Sequence, residues 1–212
     1  MSQPGERLLE LVAVMDQLRS PGGCPWDAEQ THTSLLPYLV EETYELVEAI
    51  ENGDPDGMAE ELGDVLLQVV FHARVAQEDP SRPFDIDDVA GRLIDKLRRR
   101  HPHVFADTHA DTPQQVAANW TAIKAQEKPD RRGPLDGIPT AMPALERAAA
   151  VVDKVLESGH EDVLPVAGPA DDIGTQLLAL VVRARQEGID PAAHLRTALR
   201  QVSASIPASP AL

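Results

Sequence analysis

The sequence predicts an all-α fold. Apolar residues recur at helical spacing along most of the chain, and none of it alternates with the period of two that marks a strand. Aromatic residues are only 3% of the 212, against 42% apolar overall, so the core must be built from Leu, Val, Ile and Ala. That composition suits helix-on-helix packing.

The elements follow in order. A first helix is expected over residues 6–19, with Leu8, Leu11, Val12, Met15 and Leu18 on one stripe. SPGGCPWD then breaks it with two prolines and two glycines. A second helix starts at Thr33 or Ser34 and runs to Glu51. NGDPDG ends it, with Asn52 and Gly53 as C-terminal caps and Asp56 as N-cap of a third helix over 58–77. EDPSRPF is loop, and a fourth helix over 86–100 stops at Pro102. The next covers 112–127, where Pro113 fits a first turn. KPDRRGPLDGIPTAMP reads as a linker. Helices over 143–158, 171–186 and 191–203 follow, the first two separated by the loop HEDVLPVAGPA, and SASIPASPAL reads as a frayed tail. The expected organisation is a first domain over 1–127, a linker over 128–142 and a smaller unit over 143–212.

Thirty-five acids against nineteen bases leave a net charge of −16. Such a surface repels nucleic-acid backbones and anionic lipid, so neither is an expected partner. A small polyphosphate stays admissible, because a divalent cation can bridge acid to phosphate. The longest strongly apolar segment, residues 65–71, is too short to span a bilayer, and MSQPGERLLE shows no signal-peptide pattern. Cys24 is the single cysteine, which excludes an internal disulfide and suits a reducing cytoplasm.

One internal echo stands out. ELGDVLLQVVFHAR (61–74) aligns without gaps on DIGTQLLALVVRAR (172–185), sharing Gly, Leu, Leu, Val, Ala and Arg. Chance agreement of two Leu-rich helices and a duplicated unit both account for it. In either case Asp64 is replaced by Thr175, so the second segment cannot hold the same set of acids.

Four acids break into the apolar pattern around NGDPDG. At about 100° per residue, Glu42 lies inside the apolar arc of its helix and Glu45 on its border, whereas Glu41, Glu48 and Glu51 face outward. On the next helix Glu61, Asp64, Gln68 and His72 form a narrow polar stripe on an otherwise apolar cylinder, which predicts burial of the helix and the stripe. The short turn makes the two helices antiparallel neighbours, so the stripes can face each other. Two carboxylates 4 Å apart repel by about 4 kcal/mol at an effective dielectric of 20, so the cluster needs a partner. All-oxygen ligands at this spacing suit a hard cation such as Mg²⁺ or Mn²⁺. A network of buried Arg or Lys is the other reading.

The arrangement Glu42-x-x-Glu45, fifteen residues, Glu61-x-x-Asp64 resembles the metal motif of the MazG family of all-α nucleoside triphosphate pyrophosphohydrolases. GCPWDAEQTH, EETYEL, ELGDVLLQVVFHA, RRHPHVFAD, NWTAIKAQE and the LDGIP…PAL stretch extend the resemblance in the family's order across residues 5–147. The resemblance implies a helical bundle assembled as a homodimer, with Mg²⁺ (Mn²⁺ in its place) on Glu42, Glu45, Glu61 and Asp64. It implies hydrolysis of a nucleoside triphosphate between the α- and β-phosphates, serving nucleotide-pool housecleaning. It also implies phosphate and nucleotide contacts from Lys96, Arg100, Trp120 and Lys124, with Trp26 as a second candidate to stack on the base. Glu45 or Glu42 is the candidate proton acceptor, and Lys96 and Lys124 stabilise developing charge. The C-terminal part departs from the family pattern: it keeps DDIGT in place of the ExxD element and lacks an EExxE helix. Activity is therefore expected in the first part alone. A non-catalytic nucleotide-binding module is the alternative function.

Overall fold

The computed structural model describes residues 5–106, 108–127, 133–166, 168 and 172–206. Asp107, the first five residues of the expected linker, the end of the HEDVLPVAGPA loop with Asp171, and the tail from 207 onward lie outside them. The described residues form helices α1 (Glu6–Arg19), α2 (Pro25–Glu29), α3 (Leu36–Asn52), α4 (Pro55–Ala76), α5 (Ile86–Arg100), α6 (Pro102–Phe105), α7 (Pro113–Glu127), α8 (Ala144–Glu157), α9 (Ile173–Gln186) and α10 (Pro191–Ala204). A 3₁₀ turn spans Glu161–Val163, and no strand occurs among the described residues. The chain divides into two compact units, Met1–Ile123 and Lys124–Leu212. No described helix is long and apolar enough to cross a membrane.

In the first unit α3 and α4 form a long antiparallel hairpin. Gly53 closes α3 in the left-handed region, at φ 65° and ψ 35°, where its missing Cβ removes the steric cost. The N-cap of α4 is Asp54 rather than Asp56: its Oδ1 accepts from the N–H of Asp56 and of Gly57, both at 3.1 Å. Pro55 takes the first helical position, so α4 starts three residues before the periodicity predicts. The apolar pattern could not show this, because a first turn exposed on every side carries no apolar signal.

The core of this unit is Met15, Leu35, Val70 and Phe71, with Leu11, Val12, Leu66, Leu67, Val75 and Ile86 packed around it. Leu8 and Leu18, expected on the same stripe of α1, remain largely exposed. The proline- and glycine-rich stretch after α1 contains the short helix α2, which sequence periodicity cannot detect in five residues. Gly23 sits so close to the end of α1 that an added Cβ would lie 2.3 Å from the carbonyl oxygens of Gln17 and Leu18. The Arg19 side chain, 6% exposed, fastens this turn: it donates to the carbonyls of Asp27 (2.7 Å) and Gln30 (2.9 Å) and forms a two-bond fork on Glu78. Arg74 of α4 joins Asp16 of α1 at 2.7 Å and Glu78 at 2.8 Å. Glu78, between two guanidinium groups, holds its proton less tightly than an ordinary carboxylate, Arg19 being the larger cause.

The second unit is built on α8 and α9 around Val152, Val181 and Val182. Its internal packing repeats that of α1 on α4. Val70 and Val181, aligned in the internal echo, both lie in the core, and each is followed four residues later by an arginine. Arg74 reaches Asp16, next to buried Met15, and Arg185 reaches Asp153, next to buried Val152, by bonds of 2.7 and 2.9 Å. Each arginine also bonds four residues onward, Arg74 to the Glu78 carboxylate and Arg185 to the Ile189 carbonyl.

Candidate metal centre

The turn of the α3–α4 hairpin sets which residues face each other, and the i, i+3 spacing within each helix places both acids of a pair on one side. Glu42, Glu45 and Glu61 each offer a carboxylate oxygen within 4.8 Å of the others. Asp64 adds its charge: it raises the pKa of both Glu42 and Glu61. For Glu42, partial desolvation is the largest cause, followed by Asp64, a hydrogen bond with Glu45, and the charges of Glu45 and Glu61. For Glu61, desolvation again leads, then Glu45, Asp64 and Glu60. Every charged group that shifts these two acids is another carboxylate. An Arg or Lys network would push the same values down.

The expected burial of the α4 stripe holds at Gln68 and is corrected by the structure at the acids. Glu42, Glu61 and Asp64 are half-buried and Glu45 is exposed. The reason lies in α4 itself: Leu62, 51% exposed, and Val69 leave part of its apolar face uncovered, so the helix is a wall of the unit rather than its axis. Half-exposure would leave a cation held there with free coordination positions and access from solvent.

The set is all oxygen, with Glu42, Glu45 and Glu61 gathered and Asp64 outside that group but adding its charge, and it fits a hard divalent cation. Further along the α4 stripe, Gln68 is 5% exposed, yet its Oε1 has no hydrogen-bond partner among the described residues. His72 follows one turn later, its ring paired with His32.

The remaining candidates divide into groups. Arg100 of α5 lies over the Trp120 ring of α7, its guanidinium carbon 5.0 Å from the centroid, in cation–π geometry. Lys96, one turn before Arg100, is exposed. Lys124 follows Trp120 by one turn on α7 and lies past the division into units. Trp26, half-exposed, meets Tyr38 edge-on at 5.8 Å and Phe71 at 6.5 Å. It is therefore anchored on both helices of the hairpin that carries the acids. Cys24 is the half-buried N-cap residue of α2.

In the second unit Asp172, aligned with Glu61, has a different task. It caps α9, accepting from the Thr175 N–H at 3.1 Å and from the Thr175 hydroxyl at 2.7 Å, and these bonds lower its pKa. Thr175 is the residue that stands where the first unit has Asp64, so a capping pair occupies the positions that hold two acids in the first unit.

Sequence reasoning did not single out His32. It occurs within GCPWDAEQTH, but no spacing rule links it to a residue forty positions away, and only the packing of this segment on α4 brings the two rings together.

Residues 30–105, which include all four acids, match the MazG nucleotide pyrophosphohydrolase domain. The nucleoside triphosphate pyrophosphohydrolase/pyrophosphatase MazG of Thermotoga maritima is 42% identical over 221 residues, spanning 95% of this chain and 84% of that protein. A nucleoside triphosphate pyrophosphohydrolase of Escherichia coli K12 is 41% identical over 86% of this chain and 69% of its own length. One from Mycolicibacterium smegmatis is 45% identical over 97% of this chain, which spans 62% of that longer protein.

Proposed function

The chain belongs to the MazG nucleotide pyrophosphohydrolase family, and on that premise we propose that Glu42, Glu45, Glu61 and Asp64 bind Mg²⁺ for its reaction. The reaction is hydrolysis of a nucleoside triphosphate to the monophosphate and pyrophosphate. The observation that carries the metal reading is a three-way gathering of carboxylate oxygens within 4.8 Å, perturbed by further carboxylates.

The physical problem is to hold a substrate of about four negative charges against a protein of −16. Glu42, Glu45, Glu61 and Asp64 would hold the divalent ion, which would offset the phosphate charge and make bound water more acidic. The chain's own groups do the rest. Glu45, exposed beside Glu42, is proposed to accept a proton from water, and Glu42 is the other candidate. Lys96, Arg100 and Lys124 are proposed to stabilise charge on the phosphates and on departing pyrophosphate. Trp120, which carries Arg100 over its ring, is proposed to stack on the base or ribose. Trp26 is proposed as a second aromatic contact.

We further propose that the chain works as a homodimer in the cytoplasm, clearing unwanted or damaged nucleotides, without nucleic-acid or membrane partners. Leu36, Val40 and Tyr44 form an exposed apolar stripe on α3, and Leu62 and Val69 are exposed on α4. A second copy covering these stripes would also complete the burial that the apolar character of α4 calls for. The second unit is proposed to be the remnant of a duplicated copy, retaining the α8–α9 clamp without the acids.

The experiment is a pyrophosphate-release screen of the purified chain with Mg²⁺ across common and oxidised nucleoside triphosphates. Release that EDTA stops and Glu42→Gln abolishes is the expected result. Binding of nucleotide without turnover would replace this reading with the non-catalytic module.

A further inference from the structure

His32 and His72 meet in a way that spacing does not explain. Their Nδ1 atoms are 2.7 Å apart, and their ring planes lie within 4° of parallel with centroids 5.1 Å apart. Rings stacked face over face keep their atoms about 3.5 Å apart or more. Contact at 2.7 Å between near-parallel rings therefore requires the two planes almost to coincide, with the nitrogens edge to edge. This is an N–H···N hydrogen bond, and it holds one proton. A neutral imidazole has one donor and one acceptor nitrogen, whereas a protonated ring has two donors. Two charged rings cannot keep the bond.

The bond joins two parts of the proposed site. On α4, His72 follows Phe71 directly and lies about 12 Å along the axis from Asp64, at about 1.5 Å per residue. His32 follows α2 in a segment also held by Arg19 on the Asp27 and Gln30 carbonyls, by Trp26 against Phe71 and Tyr38, and by the chain from Ser34 Oγ to Gln30 Oε1 and from Gln30 Nε2 to the Trp26 carbonyl. Adjacent residues of α4 thus receive the two aromatic side chains of this segment.

We propose that His32 and His72 are positioning residues for the triphosphate reaction: a single proton shared between their Nδ1 atoms pins the Trp26 segment onto α4, and uptake of a second proton releases it. Protonation opposes the pinned state because burial lowers the His72 pKa, with His32 as the next cause and the only charged neighbour that shifts it. The pinned state is therefore favoured above the ordinary histidine value of about 6.5 and loses ground below it. The surrounding charges have other engagements. Asp16 of α1 is held by Arg74, and Glu78 by Arg19 and Arg74. Asp79 faces His32 and accepts from the N–H groups of Ser81 and Arg82. Glu42 and Glu45 of α3 belong to the acid cluster.

The proposal rests on the triphosphate reading, and two measurements keep the failures apart. The first is nitrogen-detected NMR of the imidazoles in the full chain, which needs no turnover. Two coupled protonation steps, the second displaced to lower pH, are expected; two independent single steps would overturn the pair. The second is the pH dependence of KM and kcat at saturating Mg²⁺. From pH 7.5 to 5.5 the wild-type KM should rise about three- to tenfold, the scale of one hydrogen bond, with a smaller change in kcat. The H32N/H72N variant, with a non-titrating amide near each Nδ1 position, should lack this rise. His32→Ala should raise KM at every pH in that range. Identical KM profiles for wild type and H32N/H72N, or an unchanged KM in His32→Ala, would overturn the positioning role. If nucleotide binds without turnover, its Kd replaces KM in the same comparison; if it neither binds nor reacts, the positioning role falls with the triphosphate reading.

Discussion

At the scale of single residues, Glu42 and Glu61 carry an electrostatic cost. Both have raised pKa values because desolvation and neighbouring carboxylates disfavour the charge. A carboxyl whose folded pKa is raised favours the fold most below its unfolded value, and that contribution is lost as pH rises through the folded value. Without metal, then, the cluster should oppose folding at neutral pH and be relieved by acid. Glu61→Gln is expected to raise the urea midpoint at pH 7 in EDTA, while lowering kcat/KM by about a hundredfold or more, since even residues outside the ligand set cost up to that much. A lower midpoint at pH 7 in EDTA would show that the glutamate is paired with a cation instead.

At the scale of elements, the turn between α1 and α2 depends on one guanidinium. Arg19 satisfies the carbonyls of Asp27 and Gln30 and at the same time grips Glu78 beyond the end of α4. Truncating it leaves two carbonyls and a carboxylate without their donor. Arg19→Ala should therefore cost about 2–4 kcal/mol in urea denaturation. Lysine should recover little of this, because a point charge cannot reproduce the planar fork. The same clamp has a pH signature. The lowered pKa of Glu78 means stability present above its unfolded value of about 4.5, lost as pH falls through the folded one. This is the opposite sign to the acid cluster, so mild acid relieves one end of α4 while weakening the other.

At the scale of the whole molecule, the described surface leaves apolar stripes that a single copy does not cover. Val40, 53% exposed, and Leu62 lie on the two helices of the hairpin. Burying a side chain of this size is worth about 1.5–3 kcal/mol, and charges there should block the proposed association. Sedimentation equilibrium of the wild type is expected to give twice the chain mass, and of Val40→Glu with Leu62→Glu the chain mass itself. A wild type that stays monomeric at micromolar concentration would remove the dimer. The second unit has its own uncovered stripes, Ile173, Leu177 and Leu180 on α9 and Leu195, Leu199 and Val202 on α10.

The sequence alone determined the helical class, the α3–α4 hairpin and the identity of the clustered acids. These follow from helix pitch and a short turn, both local: i, i+3 spacing shares a face wherever the helix sits. Tertiary structure decided how deeply the acids lie, because burial depends on what covers a face, and α4 was left half open at Leu62 and Val69. It also decided that Arg100 meets Trp120, that Trp26 rests on Phe71, and that His32 shares a proton with His72. Those contacts join positions far apart in the chain, where the pitch of one helix carries no information about the next.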